Sequence, residues 1–200
     1  MNIVCLDLEG VLVPEIWIEF SKATGIPELQ RTTRDEPDYD KLMKFRIDIL
    51  NKNNLKLPDI QKVISEMEPL PGALDFANKL REKTQLVILS DTFEQFAKPL
   101  MFKLGWPSLF CNTINSDDSG TVTGFTLRQQ NGKKEAVKAF KLMNMRIFAA
   151  GDSYNDLDMI REAHCGCLFH APAQIQKVNP DLKCFDTYDE LLTIIESFLK

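Results

Sequence analysis

No run of eighteen or more apolar residues occurs in this 200-residue sequence, so no membrane-spanning helix is expected. No block of lysine and arginine stands out, and the net charge is −5, so the footprint of a nucleic-acid partner is missing. An acidic balance also implies that any anionic substrate is held by a local site and not by a global field. Cysteines number five, an odd count in an unexceptional spacing, which suits reduced thiols in the cytoplasm better than a disulfide framework. Met1-Asn2 leads straight into an apolar stretch, and no signal peptide is expected. Internal repeats and low-complexity tracts are absent as well. What remains is ordinary globular composition, 44% hydrophobic and 26% charged, in a length that suits one core domain carrying an insertion or a small cap.

The stretch Asn2–Val13 organises the rest. A short apolar run reads as a buried parallel strand, ends on Asp7, and is followed by Glu9 and Gly10. In open α/β sheets reactive groups gather just past the carboxyl ends of strands. Residues 14–70 read as a helical insertion: one helix through Trp17 and Phe20 to Gly25, a broken stretch over 26–38 with Pro27 and Pro37, a helix through Leu42, Phe45, Ile49 and Leu50, and another from Pro58. Pro69-Leu70-Pro71-Gly72 reads as the hinge back into the core. From there helices and strands alternate. A helix carries Leu74, Phe76 and Leu80, and a buried strand covers Gln85–Ser90. A helix over 93–103 and a hairpin around residues 116–120 follow. Next come a helix over 133–143 and strands at Arg146–Ala150 and Cys165–Phe169, with a closing helix over 188–199. Alternation of this kind predicts an α/β fold with a Rossmann-like parallel sheet, a core of residues 1–13 and 71–200, and a helical cap of residues 14–70 inserted after the first strand.

Asp7 and Glu9, Ser90, Lys133, and Asp152 with Asp156 share one address, the carboxyl ends of strands or the start of the next helix. Together they offer a carboxylate nucleophile, a hydroxyl donor, a cation and metal-binding carboxylates, the set that phosphoryl transfer to a protein aspartate requires. Mg²⁺ suits such hard oxygen ligands. Singly each residue has a plainer reading: Ser90 as a helix N-cap, Lys133 as a solvated helix residue, Asp156 as an acidic residue in a first helical turn. In this order and together they favour the chemistry. Lys134 is the neighbouring alternative to Lys133. The cluster His164-Cys165-Gly166-Cys167-Leu168-Phe169-His170 lacks a recognised zinc spacing and reads as strand packing.

Asp7-x-Glu9-Gly10-Val11, Ile88-Leu89-Ser90-Asp91, Lys133 and Gly151-Asp152-Ser153-Tyr154-Asn155-Asp156 resemble the four motifs of the haloacid dehalogenase superfamily, across essentially the whole chain. More narrowly, the sequence is similar to phosphoserine phosphatases, above all to the bacterial ones that also pass the phosphoryl group to homoserine. The resemblance implies a Mg²⁺-dependent phosphomonoester hydrolase with Asp7 as nucleophile. Asp152 and Asp156 would serve the metal, with the residue at position 9 giving the metal its backbone carbonyl and acting as general acid and base. Ser90, Asp91, Thr92, Lys133 and Asn155 would contact substrate or phosphate. Glu15 and Arg46 match the cap residues that meet the amino group and carboxylate of L-phosphoserine, although Glu15 sits one residue short of the usual spacing. A guanidinium fork suits a carboxylate. Partners are then small molecules, L-phosphoserine and L-homoserine, and a homodimer is compatible with the family.

Two departures stand out. Glu9 replaces the usual Asp, and Gly10 replaces a hydroxyl-bearing residue. One added methylene at position 9 is expected to position water less well and let an alcohol acceptor compete. Rival readings are a phosphatase of another small phosphomonoester, such as a sugar or ketone phosphate, and a signalling receiver module. A receiver needs neither a long helical insertion nor a late Gly-Asp-Ser-x-Asn-Asp loop.

Overall fold

The computed structural model describes every residue except 34 and 37, so the predicted break at Pro37 lies outside the described residues. Among those described, seven strands form one sheet in the order β4-β3-β2-β1-β5-β6-β7. They are β1 (Asn2–Leu6), β2 (Gln85–Phe93), β3 (Ser108–Ser116), β4 (Val122–Thr126), β5 (Arg146–Gly151), β6 (Cys165–Phe169) and β7 (Cys184–Phe185). Only the β3–β4 hairpin is antiparallel. β1 lies centrally and pairs in parallel with β2 on one side and β5 on the other. The chain therefore reverses its direction of winding beside β1, which leaves a crevice beyond the strands' carboxyl ends.

Side chains alternate across β1 and build a core on each face of the sheet. Val4 and Leu6 face a large cluster with α4 (Ala73–Arg81), α5 (Glu94–Lys103) and α9 (Tyr188–Leu199). Ile3 and Cys5 face a smaller one with α6 (Gly132–Leu142), α7 (Leu157–Glu162) and α8 (Ala173–Val178). Burial of both faces explains why the central strands read as unbroken apolar runs.

Between β1 and α4 the chain forms α1 (Ile16–Thr24), α2 (Tyr39–Lys52) and α3 (Leu57–Glu66). α1 stops where Gly25 turns left-handed at φ 69°, donating its N–H to the Ser21 carbonyl. The apolar faces of these helices (Trp17, Phe20, Met43, Leu50, Ile60, Ile64) join the larger core cluster. Polar ties run to the hairpin and to α5: the Leu57 N–H donates to the Gly120 carbonyl at 2.8 Å, and the Lys103 ammonium donates to the Met67 carbonyl at 2.6 Å.

One helix forms as expected, and one expectation about a strand end is corrected. In α4 the inward residues are Ala73, Phe76, Ala77 and Leu80, while Leu74 is exposed, because Leu74 falls between the buried positions of the helical period. β2 does not end at Ser90 but runs on to Phe93 through an irregular stretch of its pairing with β3, between Leu89 and Phe93. Ser90 is thus not a helix N-cap, since α5 starts at Glu94.

Candidate active site

β1 stops at Leu6, and the Asp7 N–H donates to the Ala150 carbonyl of β5 at 3.0 Å, fixing Asp7 just past the strand end. β5 ends at Gly151 and hands on to Asp152. A Cβ at Gly151 would lie within van der Waals radii of Asp156, so the Gly151 backbone and the Asp156 carboxylate pack directly together. Asp156 is fully buried and accepts from the N–H groups of Asp152 (3.1 Å) and Ser153 (3.0 Å), the Ser153 hydroxyl (3.1 Å) and the Lys133 ammonium (2.7 Å). Both of its oxygens are therefore engaged in shaping the loop and holding Lys133.

Lys133 emerges from the first turn of α6 into the interior, 2.7 Å from Asp156, 2.9 Å from Asp7 and 3.8 Å from the more exposed Asp91. Lys134 points outward and pairs with Asp158 at 3.4 Å. Burial opposes the charge on Lys133, but the neighbouring Asp156, Asp7 and Asp91 outweigh it and hold the ammonium well above the usual lysine range. For Asp7 the balance runs the other way: burial, then Asp156, push its carboxyl well above the usual range, and Lys133 only partly offsets them. Burial and the neighbouring carboxylates favour the protonated form of Asp7, and the carboxylates favour that of Lys133.

Asp7, Asp152 and Asp156 bring carboxylate oxygens within 4.8 Å of one another. With Asp7 ionised, three carboxylates against one ammonium leave two negative charges, which one divalent cation would balance. A buried Asp7 oxygen, Oδ1, also lacks a hydrogen-bonding partner among the described residues, although it lies at ion-pair distance from Lys133. The donor set is all oxygen, so the site fits a hard cation such as Mg²⁺. Glu9 adds no side chain to this cluster. Its carboxylate turns toward the helical insertion and accepts from the Ile16 N–H at 2.8 Å, the first helical residue of α1. Burial, then Glu15, raise the Glu9 carboxyl to about 7, against the lowering effects of the Ile16 N–H, Arg46 and Thr92.

Gly10 adopts φ 75°, and a Cβ there would sit 2.7 Å from the Asp152 carboxyl carbon. Any side chain there would meet Asp152, so glycine suits the position in this arrangement. Ser90 is buried where the β2–β3 pairing is interrupted, and its hydroxyl oxygen accepts from the Thr92 N–H at 3.2 Å, leaving its O–H to donate elsewhere. Asp91 accepts from the Asn155 amide at 2.7 Å, and the Asp91 carbonyl accepts from the Tyr39 hydroxyl of α2 at 2.9 Å. Sequence reasoning missed Tyr39, whose only signal was a lone aromatic at the start of α2.

The pocket is lined by Asp7, Ser90, Lys133 and Asp152, by Glu9, and by Glu15, Trp17 and Arg46. Arg46 is buried with its guanidinium 4.6 Å from the Trp17 ring centroid, one N–H donating to the Arg31 carbonyl at 2.9 Å. Its Nε has no hydrogen-bonding partner among the described residues. Burial lowers the Arg46 pKa to about 10, against the raising effects of Tyr39, Glu9 and Glu15, and it remains a cation at neutral pH. His164 accepts from the Ile147 N–H at 3.0 Å at the strand edge, and Cys165 and Cys167 pack into the larger core cluster, away from the pocket.

Residues 1–164 match the family model described as haloacid dehalogenase-like hydrolase. The chain belongs to that family. Among curated relatives of this hydrolase, the phosphoserine phosphatase ThrH of Pseudomonas aeruginosa is 54% identical over 191 residues, covering 96% of this chain and 93% of the relative. A phosphoserine phosphatase of Pseudomonas syringae pv. tomato is 53% identical over 191 residues, covering 96% of this chain and 81% of that protein. A solved substrate-bound phosphoserine phosphatase complex superimposes with a TM-score of 0.80 at 21% identity, covering 100% of this chain and 98% of the other. A phospho-aspartyl intermediate analogue of phosphoserine phosphatase gives the same TM-score of 0.80 at 20% identity, over 96% and 98% of the two chains. These structures bear out the α/β fold, and the hydrolase is a phosphomonoester-cleaving enzyme of its family.

Proposed function

We propose that this hydrolase cleaves L-phosphoserine through an aspartyl-phosphate on Asp7, with Mg²⁺, and that it can pass the phosphoryl group to L-homoserine. The observation that carries the reading is the composition of one pocket. It is lined by a buried carboxylate, ammonium and hydroxyl, and also by the buried Arg46, whose Nε has no partner among the described residues, and the Glu15 carboxylate. The first group suits a phosphate ester, and the second suits the carboxylate and ammonium of an amino acid. The names of the two Pseudomonas relatives point the same way.

Asp7 attacks phosphorus as the ester oxygen leaves, and Glu9 in its acid form protonates that oxygen. Lys133 and the Ser90 hydroxyl stabilise charge on the phosphoryl oxygens. Glu9, now ionised, removes a proton from water or from the homoserine hydroxyl, whose oxygen attacks phosphorus and frees Asp7. A carboxyl near 7 serves both directions at neutral pH. Asp7, Asp152 and the Glu9 backbone carbonyl would hold Mg²⁺, with Asp156 orienting Lys133 and the Gly151–Ser153 loop. The ion supplies polarisation of the phosphoryl group. Residues 14–70 act as a cap over a core of residues 1–13 and 71–200, opening to exchange leaving group for acceptor. Cytoplasmic action fits the reduced-thiol reading of the cysteines.

The test is phosphate release from L-phosphoserine with Mg²⁺, with and without L-homoserine, assayed for O-phosphohomoserine. Phosphohomoserine gained as free phosphate falls supports transfer from a shared intermediate. Release without transfer leaves a hydrolase alone, and no release from phosphoserine overturns the substrate assignment. A Glu9→Asp variant with an unchanged partition between water and homoserine would remove Glu9 as the source of acceptor use.

A further inference from the structure

The turn that follows Glu9 accepts hydrogen bonds from outside at two successive carbonyls, and a third faces a histidine ring nitrogen. Within the turn, the Gly10 N–H donates to the Val13 carbonyl at 2.8 Å, and the N–H groups of Leu12 and Val13 donate to the Leu8 carbonyl at 2.8 and 3.0 Å. Those bonds use the turn's amides and leave the carbonyls of Gly10, Val11 and Leu12 facing outward. Each meets a different part of the chain. The Leu12 carbonyl accepts from the Leu70 N–H at 2.9 Å, in the linker that returns from the insertion. The Val11 carbonyl accepts from the Tyr188 hydroxyl at 2.7 Å. The Gly10 carbonyl lies 3.4 Å from His170 Nδ1, while His170 Nε2 lies 2.9 Å from the Asp186 carbonyl.

The two side chains are themselves fixed. Tyr188 opens α9 behind a capping box, in which Thr187 accepts from the Glu190 N–H and Glu190 accepts from the Thr187 N–H at 3.1 Å. Its ring stacks on Phe76 at 4.9 Å and lies 5.1 Å from Phe169. His170 stacks on Phe169 at 3.9 Å and takes a left-handed backbone, φ 54°, which is uncommon outside glycine and marks a locally constrained position. Neither residue lines the pocket that holds Asp7 and Glu9.

We propose that Tyr188 and His170 are positioning residues for the proton transfers: they brace the Gly10–Val13 turn and so fix Glu9 relative to Asp7. The turn is the covalent link between Glu9 and the insertion, and Gly10 packs against Asp152. A shift of the turn therefore moves Glu9 directly, whereas Arg46 stands on α2, away from the turn. The inference rests on the reading of Glu9 as the proton-handling group.

Tyr188→Phe removes one hydroxyl and keeps the aromatic stack. One hydrogen bond of ordinary net strength corresponds to an expected fall in kcat of about three- to tenfold, with KM for L-phosphoserine within about twofold of the wild type. His170→Gln retains an amide donor and is expected to recover part of the kcat lost in His170→Ala. Hydrogen exchange of the peptide spanning residues 8–13, followed by mass spectrometry, is expected to quicken in Tyr188→Phe while exchange in β5 and α6 stays at the wild-type rate. Unchanged exchange in that peptide overturns the brace, and unchanged kcat in an active enzyme overturns its part in catalysis. KM rising in step with the loss of kcat also overturns it, since that result places the effect on substrate binding. A wild-type enzyme inactive on phosphoserine defeats the functional reading instead, and the exchange measurement then decides the brace alone.

Discussion

Replacing Lys133 by Met keeps most of the volume and removes the only cation within ion-pair distance of both Asp7 and Asp156 among the described residues. At an effective dielectric constant of about 20, each unit-charge pair at such separations is worth about 6 kcal/mol before desolvation is counted. Burying the ammonium costs several kcal/mol in return, and breaking a buried pair typically destabilises by about 3–5 kcal/mol. The variant's Asp7 can escape part of this by taking up a proton, as its elevated carboxyl already indicates. With its folded pKa raised above the unfolded one, Asp7 stabilises the fold below the ordinary carboxylate range and loses that contribution as pH rises. Lys133→Met should therefore lose about 3–5 kcal/mol near neutral pH and less toward pH 5. Saturating Mg²⁺ should restore part of the loss, because an ion that binds only the folded state stabilises it by mass action. Denaturant unfolding at two pH values, with and without Mg²⁺, measures all of this. A loss below about 1 kcal/mol, or one indifferent to both pH and Mg²⁺, would refute the charge balance.

Glu9 makes a second pH prediction: with its folded carboxyl raised from 4.5 to about 7, the fold loses stability as pH rises through that window, by about 3 kcal/mol at most, and is flat above it. Glu9→Gln should lack that slope, so a wild-type-minus-variant difference that is level from acid to neutral pH in denaturant titrations contradicts the assignment. Arg46→Met can still pack on Trp17 but lacks the fork, and should raise KM for phosphoserine by about 10- to 100-fold, the worth of a charged hydrogen-bonding group. KM for phosphoethanolamine, which has no carboxylate, should move by less than about threefold; an equal rise for both sends Arg46 to a structural role. Gly10→Ala combines a left-handed alanine with a Cβ 2.7 Å from the Asp152 carboxyl carbon, and should cost about 2–4 kcal/mol while weakening Mg²⁺ binding measured by calorimetry.

How far the sequence carried this reading differs from element to element. Central strands such as Ile3–Leu6 and Ile147–Ala150 were legible because burial on both faces makes them unbroken apolar runs, and the helices of the insertion because their buried residues recur at the helical period. By contrast α8, six residues, and β7, two residues, went unseen because they are too short for any period to show. Lys133 could be separated from Lys134 only by where the helix began, and a slip of one residue would have exchanged a buried cation for a surface one. The extension of β2 past Ser90 was hidden for another reason. Ser90-Asp91-Thr92 is polar and reads as a strand end, yet it continues the strand across a break in the β2–β3 pairing, which turns the Ser90 hydroxyl inward.

The partners of Glu9 lie beyond any sequence pattern, and they are what gives the residue its chemistry. Its carboxylate reaches the first N–H of α1 only because Gly10 takes a conformation that brings residues 9 and 16 together. That contact favours the ionised form, whereas burial and Glu15 favour the neutral one, and the carboxyl comes to rest between them. An Asp at this position, one methylene shorter, could not hold the Ile16 N–H from the same backbone without moving the turn. The extra length of Glu9 is therefore tied to the entry of α1 as much as to any acceptor. Glu9→Asp should change the placement of the insertion as well as the partition of the phosphoryl group. Faster amide exchange at the start of α1 in that variant would connect the two effects, and unaltered exchange would separate them.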